Sequence, residues 1–190
     1  MKKSIEPKPI LSPQLVEMLA TYNEDGSVNL MNAAWGGQLD TDLLVLSLDK
    51  SHRTVENILR EKCFTLGLPK TKDIVDCDFV GIVSGNKDKD KFEKTDLHAY
   101  PSKVVHAPLI EEFPISFECE VFKIFDDEEV GFYVVAKVKN IVIDEEVIRE
   151  RGRFDTEMLD LAFFCPLDNT YRKFGPKVAD AFSCGLAKKR

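Results

Sequence analysis

The segment Ser51-His52-Arg53-Thr54 gathers a guanidinium, an imidazole and two hydroxyls just before Val55, Ile58 and Leu59, whose i, i+3, i+4 spacing predicts the apolar face of a short helix. Free N–H groups at a helix start favour an anion, and an arginine beside them adds the charge that would hold a terminal phosphate. The same residues equally suit an ordinary capped helix, with Ser51 or Thr54 as cap and Arg53 in solvent. A second segment, Asn29-Leu30-Met31-Asn32-Ala33-Ala34-Trp35-Gly36-Gly37, mixes amides with small residues and sets the chain's single tryptophan before paired glycines. Its amides would address the polar edge of a flat heterocycle while its small residues let the ring approach the backbone. The alternative is a strand whose Asn29 and Asn32 face solvent and whose Trp35 fills the core.

Other ready-made chemistry is missing from the text of the chain. There is no G-x-x-x-x-G-K-[ST], G-x-S-x-G or H-E-x-x-H motif, and no dinucleotide fingerprint after a strand. His98 and His106 stand at no zinc-like spacing from Cys119, so no metal is expected. Cys63, Cys77, Cys119, Cys165 and Cys184 form an odd set without a C-x-x-C pair, which reads as reduced thiols, with Cys119 buried and structural. The carboxylates of Glu111-Glu112 and Asp126-Asp127-Glu128-Glu129 read as solvated charge in loops. A formal net charge of -7 opposes the positive field that nucleic acid or an anionic membrane surface selects. The residues after Met1-Lys2-Lys3 lack a continuous apolar run, and no later stretch is long enough to span a bilayer, so a cytoplasmic protein is expected.

The elements that must position these segments are mostly strands. Leu15–Thr21 and Val28–Trp35 flank the turn residues Asn23-Glu24-Asp25-Gly26, which predicts a hairpin. Leu43–Leu48 is apolar on both faces, and Phe64–Leu68 follows the short helix as a returning strand. Residues 71–96 hold two helical pieces around Val83-Ser84-Gly85-Asn86, and a charged insertion over about 70–105 is expected beside the barrel. In Ile115–Val121 the residues Ile115, Phe117, Cys119 and Val121 alternate with Ser116, Glu118 and Glu120, which predicts one core face and one solvent face. After the turn Asp126–Glu129, Phe132–Ile143 completes a long hairpin. With no repeat and no linker, residues 1–190 read as one domain, mainly β with a few helices.

Taken in order, these pieces resemble the flavin reductase-like family, of the flavoredoxin type. The resemblance runs through Asp25-Gly26 and Asn29–Trp35, Ser51–Ile58, Gly81–Gly85 with Asp90-Lys91-Phe92, Ala107–Glu111 and Phe117–Val121. It implies an FMN-binding split β-barrel, a Greek-key antiparallel barrel that works as a homodimer with FMN at the interface. Arg53 and Thr54 would lead the phosphate contacts, with Ser51 and His52 beside them and Ser84 and Lys91 from the next element. Asn29, Asn32, Ala33 and Trp35 would surround the ribityl chain and ring, with Phe164 and Tyr171 as further contacts. The acidic hairpin Asp126–Glu129 stands where the family usually carries a His-containing turn. The implied activity is FMN-dependent redox chemistry, with NAD(P)H or a redox protein as electron donor. The alternatives are an NAD(P)H:flavin reductase using diffusible flavin, a non-catalytic FMN-binding or flavin-sensing module, and a cofactor-free interaction domain.

Overall fold

A computed structural model describes residues 1–188 of the chain. Seven strands make one antiparallel sheet: β1 (Glu17–Tyr22), β2 (Val28–Ala33), β3 (Gly36–Asp40), β4 (Leu43–Leu48), β5 (Cys63–Leu68), β6 (Ile115–Asp127) and β7 (Gly131–Ile143). Their order is β2-β1-β5-β6-β7-β4-β3. The sheet curls into a split barrel. Its end strands β2 and β3 stand at opposite ends of the hydrogen-bonded order, although only Ala34-Trp35 separates them in the chain. The long hairpin β6–β7 pairs from Ile115↔Ile143 to Asp127↔Gly131.

The alternation of apolar residues sends side chains to two cores. Inside the curl, Leu19, Leu46, Phe64, Cys119 and Val134 pack with Val55 and Ile58 of helix α1 (Arg53–Glu61). On the outer face, Val16, Met18, Ala20 and Leu30 pack beneath Cys77 and Val80 of helix α2 (Ile74–Ile82), with Phe92, Leu97, Ile110 and Phe113. Both faces of β1 are therefore covered. Each large aliphatic or aromatic side chain so buried contributes on the order of 1.5–3 kcal/mol before conformational entropy is charged against it. A small antiparallel sheet of Gln14–Leu15, Ala162–Cys165 and Thr170–Lys173 brings the C-terminal part of the chain to the same side as α2. Among the described residues no helix is long and apolar enough to cross a membrane.

Several local expectations are corrected. Ser116 and Glu118 are not on a solvent face; they are 3% and 1% exposed. The segment 99–108 lies over them: Ser102 donates to Glu118 Oε1, and Asn140 Nδ2 donates to Glu118 Oε2 at 2.5 Å from the neighbouring strand. Leu59, expected on the apolar face of α1, is exposed, since that helix buries Thr54, Val55, Asn57 and Ile58 instead. Leu43–Leu48 alternates, with Leu44, Leu46 and Leu48 buried and Leu43 and Val45 half-buried. Asp126 and Asp127 continue β6, leaving Glu128-Glu129-Val130 as the turn.

Candidate functional site

The start of α1 is held by polar side chains that the hairpin β1–β2 sends inward. Asn29 Nδ2 on β2 donates to Thr54 Oγ1 at 2.8 Å and to Thr21 Oγ1 at 3.3 Å. Asn57 Nδ2 donates to the same Thr21 Oγ1 and to Asn23 Oδ1, each at 3.0 Å. Asn29, Thr54, Thr21 and Asn57 are all buried, so the network fixes the helix start to the strands with its donors satisfied. His52 is the N-cap residue, without a side-chain cap bond. Neither Ser51 nor Thr54 caps the helix, because the Thr54 hydroxyl is turned to Asn29 instead.

A hollow of about 330 Å³ opens in front of this helix start, lined by Ser51, His52, Arg53 and Thr54 on one side and Ser84, Gly85 and Lys91 on the other. Gly85 comes so close that a Cβ there would stand 2.6 Å from Asn29 Oδ1 and 3.2 Å from Arg53 Cβ, which is why a side chain is excluded from the loop. Asn86 Nδ2 ties the loop to the carbonyl of Ser51 at 2.7 Å. Lys91 is 3% exposed, and its Nζ donates to the carbonyls of Val80 (2.6 Å) and Val83 (2.9 Å) at the end of α2. Burial lowers its pKa to about 8. Two of its three N–H bonds thus hold the helix end that presents Ser84 and Gly85. Arg53 Nη1 pairs with Glu56 Oε2 at 2.7 Å, whereas its Nε is buried without a partner.

Asn32 lines this hollow and two neighbours, joining all three into one trench. The largest part, about 790 Å³, runs between Met31, Ala33, Trp35, Leu48 and Phe132, with His52 at one end and Asp127 and Glu128 of the acidic hairpin at the other. Trp35 is 46% exposed, so it walls this cleft and does not fill the core. Its carbonyl accepts from Ser47 N at 2.7 Å, which fixes the connection across the split. The third part is bounded by Asp78, Ile82, Phe164 and Tyr171. Tyr171 OH donates to Asp78 Oδ1 at 2.6 Å and accepts from Asn32 Nδ2 at 3.4 Å, and its ring lies 6.0 Å from that of Phe164. Burial, together with the hydrogen bond to Asp78, pushes the Tyr171 phenol far above the usual tyrosine range, so it stays a donor.

All twelve residues singled out from the sequence therefore border the trench or hold its walls. Asn29 does so from beneath, as a buried strut. Gly81 and Ile82, part of the Gly81–Gly85 stretch that carries the resemblance, also line it, as do Asp78, Lys50 and Phe132, which carry no sequence signal of their own. His98 and His106 lie elsewhere, exposed and hydrogen-bonded to Glu112 and Glu61.

Comparison with known proteins places the fold. Flavoredoxin of Desulfovibrio vulgaris (Miyazaki F) superposes with a TM-score of 0.91 at 29% identity, covering 97% of this chain and 100% of that one. Flavoredoxin from Methanosarcina acetivorans shares the fold, with a TM-score of 0.87 at 22% identity over 99% of each chain. An uncharacterized protein of Methanothermobacter thermautotrophicus is 29% identical over 153 residues, 77% of this chain and 72% of the relative. Residues 12–163 match the flavin reductase like domain, a span that runs from before β1 through the whole sheet to Phe163, and the chain belongs to that family.

Proposed function

We propose that the protein binds FMN along the Asn32 trench and works as an oxidoreductase that takes electrons from NAD(P)H or a redox protein and passes them to an acceptor. The observation that carries this reading is Arg53: its Nε is buried and unpartnered at one end of a trench whose other end is walled by a half-exposed tryptophan. Leaving such a donor unmade costs about 1–3 kcal/mol or more for a charged group, and a phosphate at the helix start would satisfy it. When bound, FMN supplies the electron and hydride chemistry. The chain's own part is to hold and screen. Arg53 and the helix-start N–H groups grip the phosphate, and Lys91 braces the loop against it. Asn32 offers its amide to the polar part of the cofactor, while Trp35 and Phe132 exclude water from the ring. Purified protein should be yellow, with the flavin spectrum surviving gel filtration. Anaerobic titration with NADH and NADPH then distinguishes an enzyme from a carrier. The open Trp35 wall also favours a second reading, a reductase that exchanges diffusible flavin, for which the colour would be lost on the column.

Trp35→Phe keeps an apolar ring and should preserve folding while altering the visible spectrum or reduction potential of bound flavin. A well-folded variant with unchanged spectrum, potential and FMN affinity would reassign Trp35 to packing.

We further propose a homodimer. Phe122, Phe125 and Val130 stand exposed on the turn half of β6–β7, an apolar surface of the kind that self-association covers. Light scattering at low micromolar concentration should report twice the 21.5 kDa chain mass. A stable monomer that still retains FMN would contradict an interface site.

A further inference from the structure

The apolar run of β1 contains one charged residue. Glu17 projects into the curl on the same face as Leu19, is 2% exposed, and has an Oε2 atom that is buried without any hydrogen-bond partner. A carboxylate there would have its Oε2 without water or donor, and burial pushes its pKa up to about 7. The elements around it bring no compensating group. Ala33 of β2 stands opposite it in register. On β3, a Cβ at Gly36 would run into Glu17 Oε2 and lie 2.6 Å from Leu46 Cδ2 of β4. Among the described residues no charged side chain acts on the Glu17 carboxyl. Ala33 and Trp35, on either side of this contact, both line the large cleft. The carboxyl thus lies directly behind the wall on which a ring in the trench would rest.

We propose that Glu17 is a buried positioning residue for protons, one that takes up a proton from solvent when a ring in the trench is reduced. The inference rests on the flavin reading above. Two electrons from a donor such as dithionite, itself oxidised to sulfite, enter a neutral flavin with one proton and leave one net negative charge in the cleft. Behind a dry wall that charge disfavours a second anion, so a Glu17 carboxylate gains a proton at its own oxygen and the acid form remains. Lys50 and His52 line the open side of the cleft, but the wall at Ala33 and Gly36 brings no cation or donor to the Glu17 carboxyl itself, so that group answers the charge by taking a proton. Gly36 matters for the same reason, since only a residue without a side chain lets the carboxyl sit so close behind the cleft.

The test is the reduction potential of protein-bound FMN as a function of pH, in the wild type and in Glu17→Gln and Glu17→Met. In the wild type the potential should fall more steeply with pH around neutrality than in either variant. The excess should approach one additional proton per two electrons. Both variants should keep the flavin spectrum while losing that excess. Flavin retained by all three proteins with superimposable slopes would overturn the inference. A wild type that binds no flavin would bring down the flavin reading and the inference with it, a result plainly different from retained flavin with unchanged slopes. Glu17→Met, which suits an apolar interior, keeps the comparison available should Glu17→Gln fold poorly.

Discussion

Replacing Glu17 by Met should flatten the dependence of folding stability on pH by roughly 3 kcal/mol across the range from about 4.5 to about 7, the ordinary and the folded pKa of this carboxyl. The sign follows from proton counting. In this window the folded protein keeps a proton on Glu17 that the unfolded chain has released, so rising pH favours the unfolded state. The contribution is fully present below the unfolded pKa, is lost as pH rises through the folded one, and is constant above it. Subtracting the variant's curve from the wild type's cancels the exposed carboxylates, whose titration is common to both. Urea unfolding at a series of pH values measures the difference directly. Parallel curves would show that Glu17 finds a partner or water on which its carboxylate relies.

Arg53→Ala should weaken FMN binding by about 1.5–3 kcal/mol, a loss of roughly 10- to 150-fold, while leaving riboflavin affinity unchanged. The discrimination comes from geometry. Glu56 already holds Nη1 of Arg53, so the buried Nε is the donor without a partner, and on the proposed function it is the phosphate, which riboflavin lacks, that would meet it. Arg53→Lys should recover part of the affinity through charge alone, because an ammonium has no second nitrogen to leave with Glu56. Calorimetry with both ligands decides the matter. An equal loss for FMN and riboflavin would mean that Arg53 supports the fold of the loop and not the phosphate.

Part of the sheet was legible in the chain because alternation is a local property: Ile115, Phe117, Cys119 and Val121 declare their face without reference to distant residues, whereas Leu43–Leu48, apolar at nearly every position, hides its alternation. Ser116 and Glu118 were misread because their cover comes from Ser102 and its neighbours and from Asn140, and nothing near them in sequence announces it. Burial of a polar face depends on what is laid over it. The same limit applies to the site. Ser51-His52-Arg53-Thr54 was recognisable from residue types at a helix start, but the turning of Thr54 toward Asn29, and the division of Arg53 between Glu56 and an unpartnered Nε, are facts of three-dimensional placement. Asp78 and Ile82 sit on a helix whose polar and apolar residues do not separate cleanly, so no periodic stripe distinguishes them. Glu17 is different. A lone charge inside the apolar run from Leu15 to Thr21 is visible in the sequence, and what could not be seen is that no partner meets it.

The hydrogen bond between Asn32 and Tyr171 joins residues 139 positions apart. During synthesis the helix start, its asparagine struts and the Ser84-Gly85 loop are all made before the long hairpin β6–β7, whereas the wall of Phe164 and Tyr171 is made after it. The Arg53 end of the trench is therefore built from earlier-made segments, and the Phe164–Tyr171 wall is added later. On the proposed function, a growing chain would carry the residues that grip an anion before it gains the wall that closes the trench beside Asn32.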